Sequence, residues 1–285
     1  MQVVSTAQEF RDWCRAAQRP LGLVPTMGAL HDGHLGLVRQ AKAECASMAV
    51  TIFVNPTQFD RPADLEQYPR THERDLELLS ETEADVVFLP TADEVYPPGF
   101  ATKVQVAGPA LSLEGIERPG HFQGVATVVT KLLLTSMADM AYFGQKDAQQ
   151  VAVVRRLVAD LNIPTQVRVV PTVRETDSLA MSSRNTNLTP KEREAAPVVY
   201  RALQAAKVLH AEGEQGAEAL KRGCLSALEA EPLVEKIDYV ALVDPLTFAL
   251  LDRMGDGPAI LVVAVRMGMT RLIDNVVLGG EAQQV

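Results

Sequence analysis

The chain has 285 residues, 47% of them hydrophobic, enough to bury a sizeable core as one large domain or as one with a smaller partner. A formal charge of −9 with no basic stripe argues against nucleic acid as a partner. Three scattered cysteines, Cys14, Cys45 and Cys224, fit reduced, packed thiols better than a disulfide framework or a zinc site; with no apolar run at the N-terminus and none long enough to span a membrane, a soluble cytoplasmic protein is expected.

From residue 21 the chain reads as a strand, a glycine turn and the opening of a helix. Residues 21–25 (LGLVP) suit a buried strand, and Leu35, Val38 and the apolar positions after them keep a helical spacing to about Met48. Between them lie Thr26, Met27, Gly28 and the tetrad His31, Asp32, Gly33, His34. A helix starting in that tetrad places both histidines on one face of its first turn, where unpaired N–H groups and the positive end of the dipole favour phosphate oxygens. Gly28 and Gly33 lack a Cβ, so an anion can approach the main chain, and two imidazole donors could stabilise charge that grows as pyrophosphate leaves. The same spacing also suits half of a metal site or a polar helix start.

Residues 48–54 (MAVTIFV) form a second strand, parallel to the first through the intervening helix and ending at Asn55 to Phe59. A helix with Leu76, Leu78 and Leu79 leads into a strand at 85–90; 96–100 (YPPGF) is a turn, and 103–106 alternates like a short half-exposed strand. A buried helix over 124–137, a strand at 140–143, a helix over 148–161 and a strand at 167–170 complete the series. Alternation of this kind predicts an α/β fold with a doubly wound parallel sheet, whose ligands lie beyond the carboxyl ends of the strands. Three polar clusters fall there: Asn55 with Gln58, 144–147 (GQKD) and 174–185 (RETDSLAMSSRN). Lys146 supplies a point charge for phosphate, Arg184 a planar fork, and Ser182 and Ser183 hydroxyl donors. Singly, each reads as an ordinary solvated loop residue; their joint placement at strand ends favours a site.

Beyond Asn187 the pattern changes. Thr189, Pro190 and Glu192 form a capping box with proline at the first helical position, opening a helix to about Ala211. Gly213 and Gly216 break it, 215–230 is a second amphipathic helix, and β-rich pieces follow at 237–243, 259–265 and 272–278. The expected organisation is a catalytic domain over 1–186 and a smaller α+β domain with an antiparallel sheet over 187–285. The loop holding Ser182, Ser183 and Arg184 would be the hinge on which the second closes as a lid.

The chain resembles the pantoate–β-alanine ligase family over essentially its whole length. The matching segments are PTMGALHDGH at 25–34, FVNPTQF at 53–59, YPRT at 68–71, LEGIERPGHFQGVATVVTKL at 113–132, FGQKDAQQ at 143–150 and LAMSSRN at 179–185. Six ordered matches are far more specific than any one of them. The resemblance implies a Rossmann-like fold of the adenylyltransferase type, within the nucleotidyltransferase superfamily that bears His-x-Gly-His. It implies a homodimeric cytoplasmic enzyme, without a tightly bound organic cofactor, that joins pantoate to β-alanine using ATP with Mg2+ through a pantoyl adenylate.

Carried over by residue, it assigns ATP contacts to Met27, Gly28, Ala29, Leu30, His31, Asp32, Gly33 and His34, and to Gly144, Gln145, Lys146, Asp147, Val173, Met181, Ser182, Ser183 and Arg184. His34, His31, Lys146 and Arg184 would be catalytic, the last two on the phosphates, while Gln58, Gln150, Asn55 and His121 would bind pantoate or β-alanine. The glutamines suit a hydroxy acid because an amide donates and accepts at once. One departure stands out: the family usually has Gly-Glu-Lys-Asp where this chain has Gly144, Gln145, Lys146, Asp147. That puts in doubt a mechanism needing a carboxylate before the lysine, and it suggests that Gln145 orients the lysine loop by a hydrogen bond. Two other classes share the motifs: a nucleotidyltransferase whose product retains the nucleotide, and a sensor that binds ATP without turnover.

Overall fold

The computed structural model describes residues 1–280. By contact the chain divides into two compact units, one made of residues 1–144 and 149–170, the other of 145–148 and the residues from 171 onward. The first carries β1 (Gln2–Val4), α1 (Ala7–Ala16), β2 (Leu21–Thr26), α2 (Asp32–Glu44), β3 (Ser47–Ile52), α3 (Pro62–Gln67), α4 (His72–Ser80), β4 (Val86–Phe88), α5 (Ala92–Val95), α6 (Glu114–Glu117), α7 (His121–Ser136), β5 (Met140–Gly144), α8 (Ala148–Asp160) and β6 (Gln166–Val170). Its strands form one parallel sheet in the order β1-β4-β3-β2-β5-β6. This is the doubly wound α/β fold read from the sequence.

Alternation along the strands sorts side chains onto two buried faces. Leu21, Leu23, Ala49, Val86, Phe88 and Phe143 pack with Phe10 of α1, Val125 and Leu132 of α7 and Val154 of α8. Val24, Met48, Val50, Ile52, Val87 and Tyr142 pack with Leu35 and Val38 of α2 and Leu79 of α4. The order of strands turns at β2, which pairs with β3 on one side and β5 on the other. Loops leaving the carboxyl ends of β2 and β5 therefore start at the topological switch point, where parallel sheets bind ligands.

Several local readings are corrected. The helical spacing drawn out to Met48 stops at Glu44, because Cys45 turns to extended backbone and Ala46 and Ser47 donate to the Pro20 carbonyl, starting β3. Residues 103–106 form no strand: Val104 donates to Thr127 Oγ1 on α7, at 3.0 Å, and Val106 packs into the core, so their alternation reflects a chain laid on a helix. The single helix expected from Pro190 to Ala211 is two, α9 (Pro190–Ala195) and α10 (Val198–Ala211), since Pro197 lacks the N–H that would continue the first. The edge strand β1 and α1 had no counterpart in the sequence reading, although Thr6 and Glu9 make a complete capping box.

The second unit adds α11 (Ala217–Glu229), β7 (Lys236–Val243), β8 (Ala259–Met267) and β9 (Thr270–Leu278) to α9 and α10. The strands form an antiparallel sheet in the order β7-β8-β9, and Leu261, Val263 and Val265 of β8 share a core with Leu203 of α10 and Leu220 and Leu228 of α11. Residues 171–186, placed with the first domain in the sequence reading, group here with the later residues, to which the ion pairs Arg174–Asp274 and Arg193–Glu175 tie them. No helix among the described residues is long and apolar enough to cross a membrane.

Candidate active site

The turn after β2 is braced from beneath. Asp75 of α4, fully buried, accepts from the backbone N–H groups of Ala29 at 2.9 Å and Leu30 at 2.8 Å, and from Thr71 Oγ1 at 3.1 Å. Gly28 has φ +81, and a Cβ there would stand 3.0 Å from Asp75 Oδ2 and 3.1 Å from Ile52 Cγ2, so glycine is required both by conformation and by space. Asp75 was not among the expected site residues. Its signal was a charged side chain on the face of a helix that also carries Leu79.

The histidines cap the helix that follows. His31 is the N-cap of α2, and its Nδ1 accepts from Gly33 N at 3.1 Å; His34, at the third helical position, accepts from His31 N through its own Nδ1 at 3.4 Å. The rings lie 4.1 Å apart by centroid. A backbone N–H can only donate, so each Nδ1 is an acceptor and each neutral ring carries its proton on Nε2. Both imidazoles thus have an Nε2–H donor at the helix N-terminus, where Asp32 and Gly33 open the first turn.

Beyond β3, Asn55 spends its whole hydrogen-bonding capacity within the protein. Its Nδ2 donates to Gln58 Oε1 at 3.0 Å and to Gly124 O at 3.2 Å, and its Oδ1 accepts from Thr57 Oγ1 and from Tyr96 OH, each at 2.8 Å. With its oxygen held, Gln58 directs its Nε2 donor against Met27 Sδ, a weak acceptor, at 2.8 Å. His121 lies behind the same residue: Nδ1 donates to the Gln58 carbonyl at 2.8 Å and Nε2 accepts from Arg118 at 3.3 Å. Gly124 allows this turn to approach α7, since a Cβ there would lie 2.6 Å from Gln58 N. Asn55 and His121 are thereby arranged to position Gln58.

Two neighbouring glutamines on α8 differ in the same way. Gln149, buried, donates to Pro109 O at 2.8 Å and Ser112 O at 2.7 Å and accepts from Glu114 N at 3.0 Å. Gln150, half-buried, makes no side-chain hydrogen bond among the described residues.

In the second unit, Gln145 is buried and donates to Asn275 Oδ1 on β9 at 3.1 Å, the loop-orienting bond suggested by its departure from the family pattern. Lys146 Nζ lies 3.6 Å from Asp147 Oδ1. Val173 and Met181 are brought together by a bond from Met181 N to Val173 O at 3.0 Å, within a narrow hairpin whose strands bridge at Arg174 and Ala180. Ser182 caps the short 3-10 turn Ser183–Asn187, its Oγ accepting from Arg184 N at 3.2 Å. The Arg184 guanidinium makes no ion pair among the described residues. Met27 to His34, Asn55, Gln58, His121, Gly144 and Gln150 thus belong to one unit, and Gln145 to Asp147, Val173 and Met181 to Arg184 to the other.

The model of the family described as Pantoate-beta-alanine ligase matches residues 2–277. A pantothenate synthetase of Chloroflexus aurantiacus is 53% identical over 99% of this chain and 100% of its own length, and one of Gluconobacter oxydans is 51% identical over 98% and 100%. Among solved structures, pantothenate synthetase from Thermus thermophilus superposes with TM-score 0.91 at 48% identity, covering 97% of this chain and 99% of that one. The Francisella tularensis pantoate-beta-alanine ligase, described as complexed with beta-gamma ATP and beta-alanine, gives 0.80 at 33% identity and 99% coverage of both.

Proposed function

The chain belongs to the pantoate–β-alanine ligase family, and from that premise we propose that it forms pantothenate in two steps through a bound pantoyl adenylate. In the first, a carboxylate oxygen of pantoate attacks the α-phosphorus of ATP and the bond to the bridging oxygen breaks, releasing pyrophosphate. In the second, the amine of β-alanine attacks the acyl carbon, AMP leaves, and the nitrogen loses a proton. A free carboxylate is a poor electrophile, and the mixed anhydride supplies the leaving group it lacks.

The observation that carries this reading is the reciprocal cap of His31 and His34. It directs two neutral Nε2–H donors to a helix N-terminus, where they would stabilise charge developing on the α-phosphate. Lys146, Ser182, Ser183 and Arg184 would hold the phosphates, and the backbone of 27–34, 144–147, Val173 and Met181 the rest of ATP. Gln58 and Gln150 would take the carboxylate and hydroxyls of pantoate, with Asn55 and His121 fixing Gln58. Mg2+ would arrive with the phosphates of ATP and neutralise part of their charge. The family resemblance also supports a homodimer in the cytoplasm, which sedimentation and cell fractionation test.

The decisive experiment is isotope exchange. Labelled pyrophosphate should enter ATP when pantoate is present and β-alanine absent; exchange that appears only after β-alanine is added would rule out a separate adenylate.

A further inference from the structure

Asn275 of β9, buried, places its one amino group on two successive carbonyls: Nδ2 donates to Gln145 O at 2.9 Å and to Lys146 O at 3.0 Å. These carbonyls belong to the peptide planes before and after the Lys146 Cα. Because each peptide is planar, holding both leaves little freedom in φ and ψ at that residue, and the lysine side chain starts from a set point. The acceptor end of Asn275 is used too, receiving Gln145 Nε2 at 3.1 Å.

The preceding residue locks this arrangement. Asp274 accepts from Asn275 N at 2.8 Å and grips Arg174 in a two-pronged pair, at 2.7 and 3.1 Å. Arg174 lies 4.2 Å over the Tyr200 ring of α10 and donates to Ser178 O, inside the hairpin that joins Val173 to Met181. Consecutive residues of one strand thus hold two separate loops, both of which carry residues read above as ATP contacts.

We propose that Asn275 is a positioning residue for Lys146, which it presents to the phosphates of ATP, with Asp274 and Arg174 keeping it in register. The proposal rests on the reading of Lys146 as a phosphate contact. It predicts a defect confined to the step in which phosphate charge develops. Asn275→Asp keeps the shape and removes both donors, turning a carboxylate toward two carbonyls. Pyrophosphate exchange with pantoate and ATP should slow by ~100-fold, whereas β-alanine should consume chemically prepared pantoyl adenylate within about threefold of the normal rate. The double variant Lys146→Ala/Asn275→Asp should exchange no more slowly than Lys146→Ala, since the second change has nothing left to misplace.

Normal exchange in Asn275→Asp, an equal loss in both half-reactions, or a double variant slowed by the product of the single effects would each overturn the proposal. Asn275→Ala, smaller and uncharged, makes the same comparison if the aspartate variant does not fold, and its thermal midpoint separates lost fold from lost rate. The underlying reading fails separately: if Lys146→Ala itself exchanges normally, Lys146 does not serve the phosphates. If Lys146→Ala is slow and Asn275→Asp is not, only the positioning role is lost.

Discussion

On the proposed reading His34 would have two separable tasks, its Nδ1 completing the helix cap and its Nε2 serving the reaction. His34→Ala removes both: pyrophosphate exchange should fall by ~10²- to 10³-fold, as when one donor to a developing charge is lost, and stability by about 1 kcal/mol for the cap. His34→Gln restores an acceptor suited to the third helical position, so its melting temperature should return while most of the rate loss remains. A variant with normal turnover but lost ATP affinity would instead assign His34 to ground-state binding. The glutamines of α8 offer a paired contrast. Gln149→Leu strands two carbonyls and an N–H in the interior, at about 1–3 kcal/mol for each buried group left unpaired, and should sharply lower the melting temperature. Gln150→Leu should leave that temperature nearly unchanged but erase selectivity for pantoate over a deoxy analogue, measured as the ratio of kcat/KM. Unchanged selectivity would move the hydroxyl-binding pocket elsewhere.

At the scale of elements, α7 and the turn after β3 behave as one device. Gly124 lies inside a helix, where alanine is intrinsically better by roughly 0.5–1 kcal/mol. Yet a methyl at that position meets the backbone of Thr57 and Gln58. Gly124→Ala should therefore leave α7 intact by circular dichroism and push the Gln58 turn away, breaking the bond from Asn55 to the Gly124 carbonyl. We expect KM for pantoate to rise at least tenfold while KM for ATP changes little. Equal changes in both would mean that the turn does not serve pantoate alone. The mount on β9 has the same character, a strand residue acting through a loop it touches.

For the molecule as a whole, each of the three hydrophobic cores among the described residues contains one cysteine: Cys14 with α1 and α7, Cys45 on the opposite face of the parallel sheet, and Cys224 in the second unit. Burial pushes the Cys14 and Cys224 thiols up to about 12, against a smaller opposing pull from Arg19 at Cys14, and raises Cys45 as well. The thiolate is the reactive form, so at pH 8 the native protein should react only negligibly with a disulfide reagent, and all three thiols should react once it is unfolded in guanidinium. Mapping the labelled cysteines by mass spectrometry at intermediate denaturant then reports which core opens first. Rapid labelling of Cys14 or Cys224 in buffer would show that its core is not closed in solution.

Much of this protein was legible in its residues because the relevant physics is local. The alternation of apolar runs with helical spacing yields a doubly wound sheet, and the Thr189–Glu192 capping box and HDGH at 31–34 each mark a helix start within a few residues of chain. Local pattern also misled where partners decide. The alternation at 103–106 comes from packing on a helix, and the spacing that ran on to Met48 ignored a carbonyl at Pro20 waiting to pair. What only the tertiary structure decided is how each polar side chain spends its hydrogen bonds. Sequence cannot distinguish Gln149 from Gln150, or show that Asn55 and His121 both hydrogen-bond to Gln58, or connect Asp75 to Leu30 and Asn275 to Lys146. An amide or carboxylate has a fixed capacity for partners, and distant segments of the chain, brought close only by folding, determine how much of it is left for a substrate.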